Sequence, residues 1–275
     1  MRDSVSNAMS AFSRFAVTRG AVAAGVFAAG WPCIRWYVER LGDGGDEPWG
    51  LVALALAVAL TPKTVWAAKL TQAGAWAAGT LVLASAAGTA SLPMLVRAGL
   101  WVGALGVVLG KGGGGRAWGR GALLGLSLPV TTTLQFYAGY PLRVLAAELS
   151  RGLLAPVGVS AERVGVVLRW AGGEVVVDAP CSGVQMLWTA TVVGAVFVTR
   201  ARLSAGRAIL FGGLTAAVAI GANALRATLL FFFESGLWPS VKGGHEAIGL
   251  GVFALAVGVL GAVASKFSVR APDLG

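Results

Sequence analysis

Two cysteines and one histidine are the obvious nucleophiles and base in this 275-residue chain. Cys181 stands in Asp178-Ala179-Pro180-Cys181-Ser182-Gly183, where a polar segment gives way to a long apolar run. A cysteine needs a neighbouring base or cation to favour the thiolate, its nucleophilic form. His245, the sole histidine, can supply the base. Arg226 can stabilise a thiolate or an oxyanion. Asn223, three residues earlier in Asn-Ala-Leu-Arg, shares its helical face. A place near a helix start would further favour a Cys181 thiolate, because unpaired N–H groups gather there. Asp178 and Ser182 flank the cysteine as supporting groups. Together these residue types permit acyl transfer through a thioester. Each also has a plainer use. Cys181 can be an inert apolar filler, or pair with Cys33 in an oxidising compartment. Arg226 can be a cation reaching from a helix end to the interface, and His245 can be structural.

Whether these residues meet depends on the elements that carry them. Hydrophobic residues make up 56% of the chain and charged ones only 12%, and the mean hydropathy is +0.76. A soluble domain carries about a quarter charged residues, so lipid must solvate much of this surface. Apolar runs of about 18 residues or more recur, enough to cross a bilayer. The fold class expected is an all-α polytopic membrane protein. The formal charge of +10 does not point to nucleic acid. The basic residues fall in short groups between apolar runs, as positive-inside signals do, and form no single patch. Abundant alanine, glycine and valine allow close helix contact in a compact bundle. The stretch Lys-Gly-Gly-Gly-Gly-Arg at 111–116 lacks the Lys-Ser/Thr of a phosphate-binding loop. It reads as a flexible cytoplasmic linker.

The apolar runs predict about eight transmembrane helices, at 18–38, 48–66, 73–91, 93–110, 117–137, 181–198, 208–226 and 246–265. Arg2, Arg14 and Arg19 precede the first without a convincing cleavage site, which reads as a retained anchor with a cytoplasmic N-terminus. Both termini are then cytoplasmic. Residues 1–275 form a single integral membrane domain. Residues 138–180 make a charge-balanced extracytoplasmic loop with an amphipathic segment and a β-hairpin, which turns at Ala171-Gly172-Gly173-Glu174. Residues 181–265 form a three-helix core. No internal repeat of the transporter kind is visible. This topology puts Cys181, Arg226 and His245 at similar depth on the outer side, on three consecutive helices.

Pro180-Cys181-Ser182-Gly183 opens one span, Asn223-Ala-Leu-Arg226 ends the next, and His245-Glu-Ala-Ile-Gly249 begins the last. This ordered set resembles the exosortase/archaeosortase family. Leu128-Pro129, Pro141-Leu-Arg143 and Gly158-Val159 are in keeping with it, and the resemblance covers residues 120–260. The N-terminal part matches mainly in hydropathy. The resemblance implies a membrane-embedded cysteine protease-transpeptidase of the cell membrane, with its active site on the extracytoplasmic face. Its partners would be exported proteins ending in a sorting tail: a short motif, a transmembrane helix and a basic cluster. Cys181 would be the nucleophile, Arg226 the arginine of the family's Asn-x-x-Arg, and His245 the histidine before the last span. The acceptor of the transferred chain is unknown. No cofactor is expected, and one histidine with two distant cysteines makes a poor zinc set. Two other uses of the residues stay open. One is a membrane acyltransferase drawing on a lipid donor through Cys181. The other is a transporter or assembly protein that binds an anion at Arg226 and His245.

Overall fold

A computed structural model describes residues 18–42, 48–110, 115–239 and 241–269. The N-terminal basic flank to residue 17, the acidic glycine-rich loop at 43–47 and the glycine linker at 111–114 lie outside the described residues. The chain divides into two compact units: residues up to 113 with Arg120–Pro129, and Gly114–Gly119 with everything from Val130 onward.

The first unit holds α1 (Arg19–Ala29), α2 (Trp31–Gly42), α3 (Trp49–Ala59), α4 (Lys63–Ala67), α5 (Gln72–Ala87) and α6 (Met94–Leu109). Thr18 and Thr71 cap α1 and α5 by accepting the N–H groups of Ala21 and Gly74. The helical hairpin expected over 73–110 is α5 and α6, turning at Ser91–Pro93. Its two arms are stitched reciprocally. Ser85 Oγ donates to the Arg97 carbonyl at 2.9 Å, and Arg97 Nε donates to the Ser85 carbonyl at 2.8 Å. A helix α7 (Gly115–Leu126) contributes residues to both units.

The second unit carries the candidate site. Its helices are α8 (Thr131–Leu154), α9 (Val184–Ala201), α10 (Ala205–Glu234) and α11 (Gly244–Val269). Helix α10 is central and packs on α8, α9 and α11. Small residues set that packing: a Cβ on Gly194 of α9 would fall 2.8 Å from Thr215 Oγ1 of α10. Between α8 and α9 lies an antiparallel sheet of β1 (Ala161–Val164), β2 (Val167–Trp170) and β3 (Gly173–Val176), in that order. The hairpin expected at Ala171–Glu174 is present as β2–β3, with Trp170 opposite Gly173. A further strand precedes it, because Gly165 (φ +64) makes a second tight turn. Leu168, Val175 and Val177 seat the sheet on Ala146, Ala147, Leu154 and Phe231.

Helix lengths bear out three of the eight expected spans. Among the described residues, three segments are long and apolar enough to cross a bilayer: Ala179–Ala201, Ala205–Glu234 and Gly244–Phe267, with mean hydropathy 1.6, 1.8 and 2.4. Three of the other expected runs are broken near prolines, which lack an N–H and favour helix ends. The run 18–38 breaks at Gly30 just before Pro32, 48–66 breaks at Pro62, and 117–137 breaks at Pro129. Arg19–Ala29, Trp49–Ala59 and Met94–Leu109 remain as shorter apolar helices. The amphipathic stretch expected inside a loop is the second half of α8, which runs unbroken through Pro141.

Candidate active site

Cys181 does not begin an α-helix. It closes a short 3-10 turn, Ala179–Cys181, and its own N–H is taken by the Asp178 carbonyl at 2.9 Å. Helix α9 starts three residues later, after Gly183 in the left-handed conformation (φ +83). That glycine is required twice over. Its backbone lies where other residues are strained, and a Cβ there would sit 2.7 Å from Asn223 Cγ.

Three side chains from two helices grip the three consecutive carbonyls of this turn. Gln135 Nε2 of α8 donates to the Ala179 carbonyl at 3.3 Å. Arg226 Nη1 of α10 donates to the Pro180 carbonyl at 3.2 Å. Asn223 Nδ2 donates to the Cys181 carbonyl at 2.9 Å. Ser182 Oγ then donates back to Gln135 Oε1 at 2.8 Å, so Gln135 bridges both ends of the turn. The side chain of Gln135 has room because Gly139 lacks a Cβ, which would lie 2.9 Å from Gln135 Nε2. Ser182 and Asn223 are buried, and Cys181 and Arg226 are half-buried. Within this well-bonded cluster two buried polar atoms, Asn223 Oδ1 and Arg226 Nε, have no hydrogen-bond partner among the described residues.

The three named residues are brought together unequally. Arg226 and Cys181 meet through the turn, but Arg226 is not at the end of its helix. Helix α10 continues to Glu234, and its 30 residues span about 45 Å. His245 is exposed, near the start of α11, with its ring 6.5 Å from that of Phe233 at the end of α10. Among the described residues it makes no hydrogen bond to Cys181. One turn on, and on the same face of α11, Gly249 passes Arg226 so closely that a Cβ would lie 3.4 Å from Nε. His245 therefore heads the helix face that borders Arg226. The charges that reach Cys181 are those of Arg226, Glu234 and Asp178. Asp178 is exposed, and its side chain makes no capping bond. Cys33 is buried in the first unit and free, 3.9 Å from Ser85 Oγ, and Cys181 is also free.

Two residues of this site escape a reading of motifs. Gln135 is the sole amide in its apolar stretch, and Glu234, the sole acid of α10, interacts electrostatically with His245 and Asp178. The available signal was a long polar side chain isolated among apolar neighbours, which in a membrane protein usually faces a bundle interior or a cavity.

The sequence profile of the family described as Transmembrane exosortase matches residues 15–262. That is most of the chain, and the chain belongs to this family. No curated protein and no solved structure matches it.

Proposed function

We propose that the protein is a membrane cysteine transpeptidase that cleaves the C-terminal sorting tail of exported proteins and transfers them to an acceptor nucleophile. The observation that carries this is the Arg226 guanidinium. One nitrogen holds the carbonyl next to Cys181, and Nε stays buried without a partner. A cation fixed beside a thiol, with a donor to spare, suits an oxyanion that forms only during reaction. Family membership supports the same chemistry.

His245 takes the Cys181 proton, closing from its exposed position once a substrate tail binds. Catalytic hydrogen bonds are often long before substrate binds. The thiolate attacks the scissile carbonyl carbon, forming the C–S bond and an oxyanion that Arg226 stabilises. The C–N bond then breaks, and the imidazolium gives its proton to the departing amine. The resulting thioester is resolved by the acceptor, or by water, which regenerates the thiol. Asn223, Ser182 and Gln135 position the turn and do not touch the reacting atoms. The site faces the extracytoplasmic side, with both termini in the cytoplasm.

The test is co-expression with an exported protein whose tail has a short motif, a transmembrane segment and a basic cluster. Intact-mass analysis of wild type and Cys181→Ala should show processing and a thioester adduct only in wild type. Processing that persists in Cys181→Ala would make the cysteine structural and end the transpeptidase proposal. Loss of function in Arg226→Ala alone, with Cys181→Ser active, would point to an anion-binding protein.

A further inference from the structure

The register of the sheet leaves one edge unpaired, and that edge runs straight into the nucleophile. In the β2–β3 hairpin Trp170 faces Gly173 and Leu168 faces Val175, and the Val177 N–H donates to the Val166 carbonyl at 2.9 Å. In an antiparallel ladder the residues that exchange bonds alternate. The odd-numbered residues of β3 thus turn their N–H and C=O toward β2, and Glu174 and Val176 turn theirs outward. Among the described residues no backbone group bonds to these two. The opposite edge of the sheet is different, since β1 packs on α8.

The β3 edge is also anchored to the core. Val175 and Val177 are buried against Phe231, while Glu174 and Val176 are exposed. Beyond Val177 the chain stays extended through Asp178 (φ −70, ψ 168) and enters the turn that ends at Cys181. Cys181 is the fifth residue after Val176, at most about 17 Å of chain away.

We infer that the β3 edge is the docking strand for the substrate, which adds as a fourth strand the extended residues just before its scissile bond. The occupant follows from the continuity. A peptide paired with Glu174 and Val176 is led along the same chain to the cysteine, and the helical remainder of the tail stays in the bilayer. Main-chain bonds supply binding in such strand addition, and alternate side chains are read on each face. A preformed edge spares the ordering cost that a flexible loop would carry. This rests on the transpeptidase reading.

The experiment uses the full-length protein in membranes, with Cys33→Ala and Cys181→Ala removing both native thiols and Val176→Cys supplying one. The probe is a recombinant sorting tail with single cysteines placed in turn at each residue upstream of the cleavage site. Disulfide yield is expected to alternate with a period of two along the tail. Separately, Val176→Pro in the otherwise native enzyme removes one outward N–H while sparing the bonds to β2. It should raise KM about three- to tenfold with kcat little changed. Cross-links with no period of two, or a KM unmoved by Val176→Pro, overturn the docking strand. Those results leave the proposed chemistry intact if processing still needs Cys181. Processing independent of Cys181 would instead remove the chemistry on which the docking rests.

Discussion

The carboxamide of Asn223 donates to the carbonyl of Cys181 itself at 2.9 Å. The "Asn-x-x-Arg" pattern thereby acquires a division of labour: Asn223 holds the nucleophile's own peptide, and Arg226, one turn on, holds the peptide before it. Spacing of three residues puts both donors on one face of α10, opposite two successive carbonyls of the turn.

Replacing Asn223 with Asp should therefore disable the site without changing its shape. An ionised carboxylate cannot donate to the Cys181 carbonyl, and it adds a buried negative charge beside the thiolate. Turnover is expected to fall about a hundredfold, as small misplacements of a nucleophile do. Unfolding free energy should drop by about 1–3 kcal/mol for the unpaired carbonyl. Single-turnover kinetics and a denaturation curve check the two effects, and unchanged turnover would remove Asn223 from the positioning role.

Gly183 offers a sharper steric case. Gly183→Ala asks an L-residue to hold φ +83 and sets its Cβ 2.7 Å from Asn223 Cγ. The left-handed conformation alone costs about 1–2 kcal/mol, and the collision pushes Asn223 off the Cys181 carbonyl. Processing should be lost while membrane insertion persists. Gly221→Ala is the control: it lies on α10, the helix of Asn223, and nothing lies within 4 Å of its Cβ position. Equal activity in the two variants would contradict the close contact.

Much of the site was legible because its parts are local motifs. Pro-Cys-Ser-Gly carries its own turn and its left-handed glycine, and Asn223 with Arg226 needs only helical periodicity. The glycine of His245-Glu-Ala-Ile-Gly249 proves to border Arg226, as ordered motifs suggest but cannot show. What was not legible depends on tertiary packing. Gln135 reaches the turn from 44 residues upstream, and no local pattern announces that meeting. Hydropathy sums apolarity across Pro62 and Pro129, so it cannot show the helix breaks that fall there. It also ended the seventh span at Arg226, because a charge reads as an interface. In the folded unit Arg226 is turned to the Cys181 turn, and the helix continues through the apolar Leu229–Phe233.

Gln135 can be tested by two changes that act on it differently. Gln135→Ala removes both bonds at once, to the Ala179 carbonyl and from Ser182 Oγ. Gly139→Ala leaves the residue in place but drives a Cβ to 2.9 Å from its Nε2. Both should slow alkylation of Cys181 by a small haloacetamide and lower kcat about tenfold, with KM little moved, because the turn is loosened and not the substrate contacts. Ser182→Ala on top of Gln135→Ala should add almost nothing, as partners in one bond are not additive. Fully additive losses would mean that the two residues do not work through one another.

The sheet has its own electrostatic anchor, and its pH dependence can be stated with a sign. Glu148 of α8, outside the three crossing segments, is bonded to Arg151 on its own helix and to Arg163 of β1 at 2.8 Å. The two guanidiniums hold its carboxyl at about 2, below the ordinary 4.5. A carboxyl depressed on folding contributes stability above its unfolded value, and that contribution is lost as pH falls through the folded one. Docking of β1 on α8 should thus be constant from pH 7 to 5 and weaken from pH 4.5 toward 2. Glu148 and Arg163 are only half-buried, so added salt should weaken the cluster as well. Hydrogen exchange of the 161–176 amides, corrected for intrinsic rates, reads this directly. Glu148→Gln should show the faster exchange already at pH 7 and lose most of the acid dependence. An acid transition that survives in Glu148→Gln would assign the anchor to another carboxylate of the sheet, Glu162 or Glu174.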